Sequence, residues 1–85
     1  MNADEALKAI RGYARAGRIG YVTHAQQRMV QRGARAADVR HALVNASSTR
    51  PSDDDKWRVV GPDLDGDDLE VVVALEGRVI VVTVF

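Results

Sequence analysis

The sequence predicts an α+β domain: three N-terminal helices packed on one face of a three-stranded antiparallel β-meander. Three observations predict it. The chain has 85 residues, the length of one small domain with one core, taken as residues 1–85. Its apolar residues recur with a helical period over about residues 3–46 and with a period near two over about residues 56–85. Hydrophobic residues make up 46% of the chain and aromatics only 5%, so the core must be Val, Leu, Ile and Ala. A chain this short buries only about 60% of its unfolded surface, which makes a partner valuable.

Residues 3–16 read as the first helix. Leu7, Ile10 and Ala14 form its stripe, Asn2 or Asp4 can cap its start, and Gly17 is placed to end it. Gly12 weakens it by about 1 kcal/mol relative to Ala. Residues 18–22 read as a short extended connector. Thr23 with Gln26 has the form of a capping box for a helix running to Arg32, which Gly33 stops. At 100° per residue, His24, Arg28, Gln31 and Arg32 share one sector of that helix. Residues 35–46 form a third helix with a stripe of Ala36, Val39, Leu43 and Ala46. Residues 47–55, rich in Ser and Asp, read as loop.

The strands follow at 56–60, 69–75 and 78–85. With Glu76-Gly77 as a two-residue turn, Val73 faces Ile80, Val71 faces Val82 and Leu69 faces Val84 on the helix side. The opposite face then holds Glu70, Val72, Ala74, Val79, Val81, Thr83 and Phe85. That is too apolar for a plain solvated face. It predicts a cover, either a second copy in a homo-oligomer or a partner protein.

Twelve basic and twelve acidic residues cancel, but unevenly. Residues 1–50 hold nine basic and three acidic residues, net +6; residues 51–85 hold three and nine, net −6. Eight of the nine early cations are Arg, the side chain suited to bidentate phosphate or carboxylate contacts. There is no cysteine, hence no disulfide framework, thiolate site or cysteine nucleophile. With two histidines a transition-metal site is not expected, and no motif calls for a cofactor. The acidic run 63–68 misses calcium-loop spacing and reads as a solvated turn. No apolar run approaches the roughly 18 residues of a membrane span, and no signal peptide is evident, so a cytoplasmic protein is expected.

Thr-His-Ala-Gln-Gln-Arg-Met-Val-Gln-Arg-Gly at 23–33, then Asp-Val-Arg-His-Ala-Leu at 38–43, carries a resemblance. So do Trp57–Gly61, Leu69–Leu75 and Val79–Phe85. From about residue 19 to 85 the chain resembles the bacterial domain of unknown function 4258, which is similar to BrnT and more distantly to the RelE/ParE toxins. The resemblance implies a RelE/ParE-like fold and an mRNA-cleaving ribonuclease, a hydrolase held inactive by a cognate antitoxin. A ParE-like inhibitor of gyrase is an alternative. Where the family has an apolar residue and then Ser or Thr after Arg-Gly, this chain has Ala34 and Arg35, so the cap of the next helix is expected to be lost.

RNA cleavage without a metal needs a base for the 2′-hydroxyl, a cation for the phosphorane and an acid for the leaving oxygen. His24 is the candidate acid or base, the role to which an imidazole side chain is suited. Arg28 and Arg32 can clamp the phosphate, and Lys56 can add a further cation to that catalytic set. Arg58 and Thr83 are candidates for holding RNA, with Glu70 beside Thr83. Each has a structural alternative. His24 can simply close its helix, and Arg28 and Arg32 can pair with Asp53–Asp55. His41 reads as a solvated helix residue, and Trp57 as core or partner anchor. The rival to the nuclease is a non-catalytic interaction module that uses the free sheet face.

Overall fold

A computed structural model describes all 85 residues. Helix α1 spans Ala3–Arg15, strand β1 Ile19–Tyr21, α2 Thr23–Arg32 and α3 Ala36–Val44. Strands β2 Ser48–Pro51, β3 Trp57–Pro62, β4 Asp68–Leu75 and β5 Val79–Val84 follow. The expected helices are present. The expected three-stranded meander is the centre of a wider sheet of five strands in the order β1-β5-β4-β3-β2. It is mixed, because β1 runs parallel to β5.

Two strands were hidden in stretches that read as connector and loop. β1 has three residues and is held by β5 rather than by any pattern of its own. β2 is an edge strand of Ser, Thr, Arg and Pro, exposed along most of its length. Thr49 Oγ1 donates to the Arg58 carbonyl at 2.9 Å. Pro51 is tolerated because an edge strand leaves one side of its ladder empty.

Helix ends follow the chemistry of their caps. Asn2 Oδ1 accepts the Glu5 N–H at 2.8 Å, and the Glu5 carboxylate accepts the Asn2 N–H at 3.0 Å, so α1 opens with a full capping box. Thr23 does not cap α2. The cap position is Val22, without a side-chain bond. Val22 donates to the Val81 carbonyl at 3.1 Å, so the sheet sets where this helix begins. The side-chain cap expected to be lost from α3 is absent at Arg35, and Asp38 steadies the helix start instead. Asp38 Oδ2 accepts the Arg35 N–H at 3.0 Å, and Oδ1 accepts the Leu64 N–H at 3.1 Å. Those two backbone donors hold the buried Asp38 carboxyl below its ordinary value.

The core is aliphatic, with Ile10, Ala14, Val39, Leu43, Val59, Val71, Val73, Val79 and Val81 fully buried among its members. Two positions around it depend on glycine, one for its backbone angle and one for a close approach. Gly33 takes a left-handed φ of 70° to end α2. At Gly61, β3 passes so close to α3 that a Cβ would stand 2.0 Å from the Ala42 carbonyl oxygen. His41, read as a solvated residue, is instead half-buried at this contact, with Nδ1 2.9 Å from the Pro62 carbonyl.

The β4–β5 register also differs from expectation. Leu75 pairs with Val79 and Val73 with Val81, so the turn is one residue longer than Glu76-Gly77. A one-residue shift turns each side chain to the other face. Val79 and Val81 therefore enter the core, while Ile80 is left half-buried. Val82 is then an extra residue opposite the Val72–Val73 step, and this bulge restores the expected phase for Thr83 and Val84. No helix is long and apolar enough to cross a membrane.

Candidate nucleic-acid interface

On the sheet face away from the core, paired residues line up across the strands. Arg50 is opposite Arg58, Arg58 opposite Val72, and Val72 opposite Thr83. In the adjacent row Ser48 is opposite Val60 and Val60 opposite Glu70. The Phe85 N–H extends that row by donating to the Glu70 carbonyl at 2.9 Å. Arg50 and Arg58 would repel each other across the strands. Glu70 offsets this, with Oε1 at 3.3 Å from Arg58 Nη1 and 3.6 Å from Arg50 Nη2. The Arg58 guanidinium also lies 4.4 Å from the centroid of the Phe85 ring, a cation–π contact. Thus Arg58 is fixed by a carboxylate and an aromatic ring, and Phe85 stays 39% exposed.

Two clefts meet here. One, of about 350 Å³, is lined by Arg32, Val60, Asp68, Glu70 and Phe85. The other, of about 170 Å³, runs from Ser48, Thr49 and Arg50 past Arg58 to Val60 and Glu70. Val60 and Glu70 belong to both, so the two form one groove.

Helix α2 forms the groove's far rim. β1 pairs with β5 only over residues 79–81, and α2 packs beside the rest of β5. Arg28 Nε donates to the Val84 carbonyl at 3.3 Å, and Nη1 donates to Gln31 Oε1 at 3.1 Å. One more turn along, Arg32 is exposed, reaches the groove and pairs with no acidic side chain. His24 is exposed on the same helix, eight residues before Arg32, or about 12 Å along the axis.

Five of the six predicted site residues therefore fall on two adjoining surfaces. Arg58 and Thr83 share a row of the sheet. His24, Arg28 and Arg32 lead along α2 towards it. Lys56 is not brought to them. It faces Asp54 at 4.0 Å and lines a separate cleft with Trp57 and Leu75. Arg28 and Arg32 do not pair with Asp53–Asp55. Trp57 is half-buried against the core. Arg50 was missed, because its strand carries no hydrophobic alternation to announce it.

An α+β domain with a cationic groove on its free sheet face is thus the class of protein in hand. Residues 21–85 match the family described as Domain of unknown function (DUF4258), and the chain belongs to that family. The match takes in α2, α3 and β2 to β5, which carry every residue of the groove and its rim. No curated protein and no solved structure matches the chain.

Proposed function

We propose that the chain is the toxin component of a toxin–antitoxin pair, an endoribonuclease that acts on mRNA without a metal ion. The observation that supports this reading is the run of cations from His24 and Arg28 on α2, through Arg32, into the groove of Arg58 and Arg50. Single-stranded RNA needs such a track for its backbone and an aromatic surface for its bases, and Phe85 supplies the latter.

The scissile phosphate lies against α2. Arg28 is oriented by Val84 and Gln31 and keeps three of its five N–H donors for a phosphate. As charge builds on the phosphorane, Arg28 and Arg32 stabilise it. His24 moves the proton, as base for the 2′-hydroxyl or as acid for the leaving 5′-oxygen. Thr83 and Arg58 hold the strand on the sheet, and Lys56 takes no part. A cognate antitoxin silences the protein by covering the α2 stripe and the groove.

The test is cleavage of single-stranded RNA by purified protein in the presence of a chelator, with growth measured on expression alone and together with the neighbouring reading frame. Cleavage should fall by about 10²-fold or more in His24→Ala, the ordinary contribution of one acid–base group. Intact RNA and unimpaired growth with the wild type would sink the nuclease reading. They would leave the outer face, with the half-buried Ala74 and Ile80, as a protein-binding surface.

A further inference from the structure

We infer that the groove between Arg32, Glu70 and Phe85 is a subsite for a guanine base of single-stranded RNA, an inference that rests on RNA being the substrate. Three features converge on it. Phe85 carries Arg58 against its ring at 4.4 Å and is still 39% exposed, so there is ring surface left for a base to stack on. Glu70 receives both arginine contacts on Oε1, which leaves Oε2 without a partner in the chain. Arg32 stands on the opposite wall and pairs with no acidic side chain, placed to meet a phosphate or the base.

The carboxylate decides which base. Two acidic side chains, Asp68 and Glu70, line this cleft beside Arg32 and oppose phosphate binding, so the use of Glu70, the one held against Arg58, must lie with a base edge. Guanine alone presents two adjacent donors, N1–H and the N2 amino group, which a carboxylate accepts together. Next to them sits the O6 acceptor, which suits an arginine beside that carboxylate, and Arg58 is 3.3 Å from Glu70. Adenine and cytosine offer a donor beside an acceptor, and uracil one donor between two carbonyls. Each leaves a carboxylate lone pair against an acceptor, which is a strong basis for discrimination.

Amide chemical shifts of the full chain, titrated with the 5′-monophosphates of guanosine, adenosine, cytidine and uridine, test this. The guanosine nucleotide should bind about tenfold more tightly than the others, the discrimination expected of one bidentate pair. Its shifts should centre on Arg32, Glu70 and Phe85. Glu70→Gln should abolish the preference, and Phe85→Leu should weaken all four nucleotides by about tenfold. Equal affinities, no binding, or shifts centred elsewhere overturn the guanine subsite, even if the protein cleaves RNA. Guanine selectivity in a protein that leaves RNA intact keeps the subsite and removes the nuclease.

Discussion

Apart from Arg28, which donates to the Val84 carbonyl, the arginines of the α2–sheet side differ from those of the α1–α3 side in what they bind. Arg11 Nε donates to the Ala46 carbonyl at 3.0 Å, at the far end of α3. Arg40 donates to the Ala14 and Arg15 carbonyls, both at 3.2 Å, at the end of α1. Each helix thus lends a guanidinium to the other's C-terminal side, where orphan carbonyls and the negative dipole end favour a cation. Arg32, Arg50 and Arg58 make no such bonds. They hold Glu70 and Phe85 or stand free. The +6 of the first fifty residues is therefore not one field. Part of it, Arg11 and Arg40, is consumed in closing the fold, and another part, Arg32 and Arg50, lines a groove. Net charge finds a basic half, but hydrogen bonding decides which cations remain for a ligand.

The largest effect should fall where the α3 side meets the sheet. Gly61→Ala places a methyl 2.0 Å from the Ala42 carbonyl oxygen, against backbone that has no rotamer to yield. We expect a loss of about 3 kcal/mol or more, read as a collapse of the urea midpoint. A near-native midpoint would mean that β3 and α3 separate easily.

That contact also marks the limit of what the sequence reveals. Helices α1 to α3 and the central strands announce themselves by period, because each buries a stripe of its own. β1 and β2 do not: Ile19 and Tyr21 of β1 pack against the core but three residues are too few to establish a period, and the Ser-Thr-Arg-Pro of β2 has no apolar face, so both are defined by pairing. The β5 phase was misread for a related reason. Every residue from Val79 to Val82 is apolar, so alternation cannot choose between registers, and the turn length decides. The α2 stripe was legible from helical spacing. The groove was not, because it depends on β2 for Arg50 and on cross-strand pairing for Arg58, Glu70 and Phe85.

Next in size is Arg40→Ala, which removes the side-chain donor to the Arg15 carbonyl and one of two donors to the Ala14 carbonyl, which keeps the Gly17 N–H. A loss of about 1–2 kcal/mol is expected, visible in thermal melts, with RNA binding unaffected once the protein is folded. If Arg40→Ala weakened RNA binding as much as Arg32→Ala, the division between the two arginine sets would fail.

Asp38 offers a pH test on the fold-building side. Its native pKa lies below the ordinary 3.8 because two backbone N–H groups donate to its charged form. The unfolded chain therefore binds its proton first as pH falls. The stabilisation is full above the unfolded value near 3.8 and is lost as the pH drops through the lower native value. Asp38→Asn should lower the melting temperature by several degrees at pH 7 and flatten the fall in stability below about pH 4. A variant that melts like the wild type at pH 7 would remove Asp38 as the link between α3 and the 63–68 turn.

A smaller change of opposite sign is expected at Gly12. It lies within α1 on the exposed side, and a Cβ there meets nothing within 4 Å. Gly12→Ala should therefore stabilise by about 1 kcal/mol, raising the melting temperature by roughly 4–8 °C in a domain of this size.

Arg32→Ala should have the smallest effect on stability and sharpens the comparison most. The side chain is exposed and pairs with no acidic group, so stability should stay within about 0.5 kcal/mol of the wild type. If Arg32 meets a phosphate, the variant should bind single-stranded RNA more weakly. It should also reduce the slope of log affinity against log salt by about 1, as one released counterion requires. Arg11→Ala should do the reverse, moving the melt and leaving the salt slope alone. The pair separates cations that build the fold from cations that await a ligand, and an unchanged salt slope in Arg32→Ala would place the RNA elsewhere.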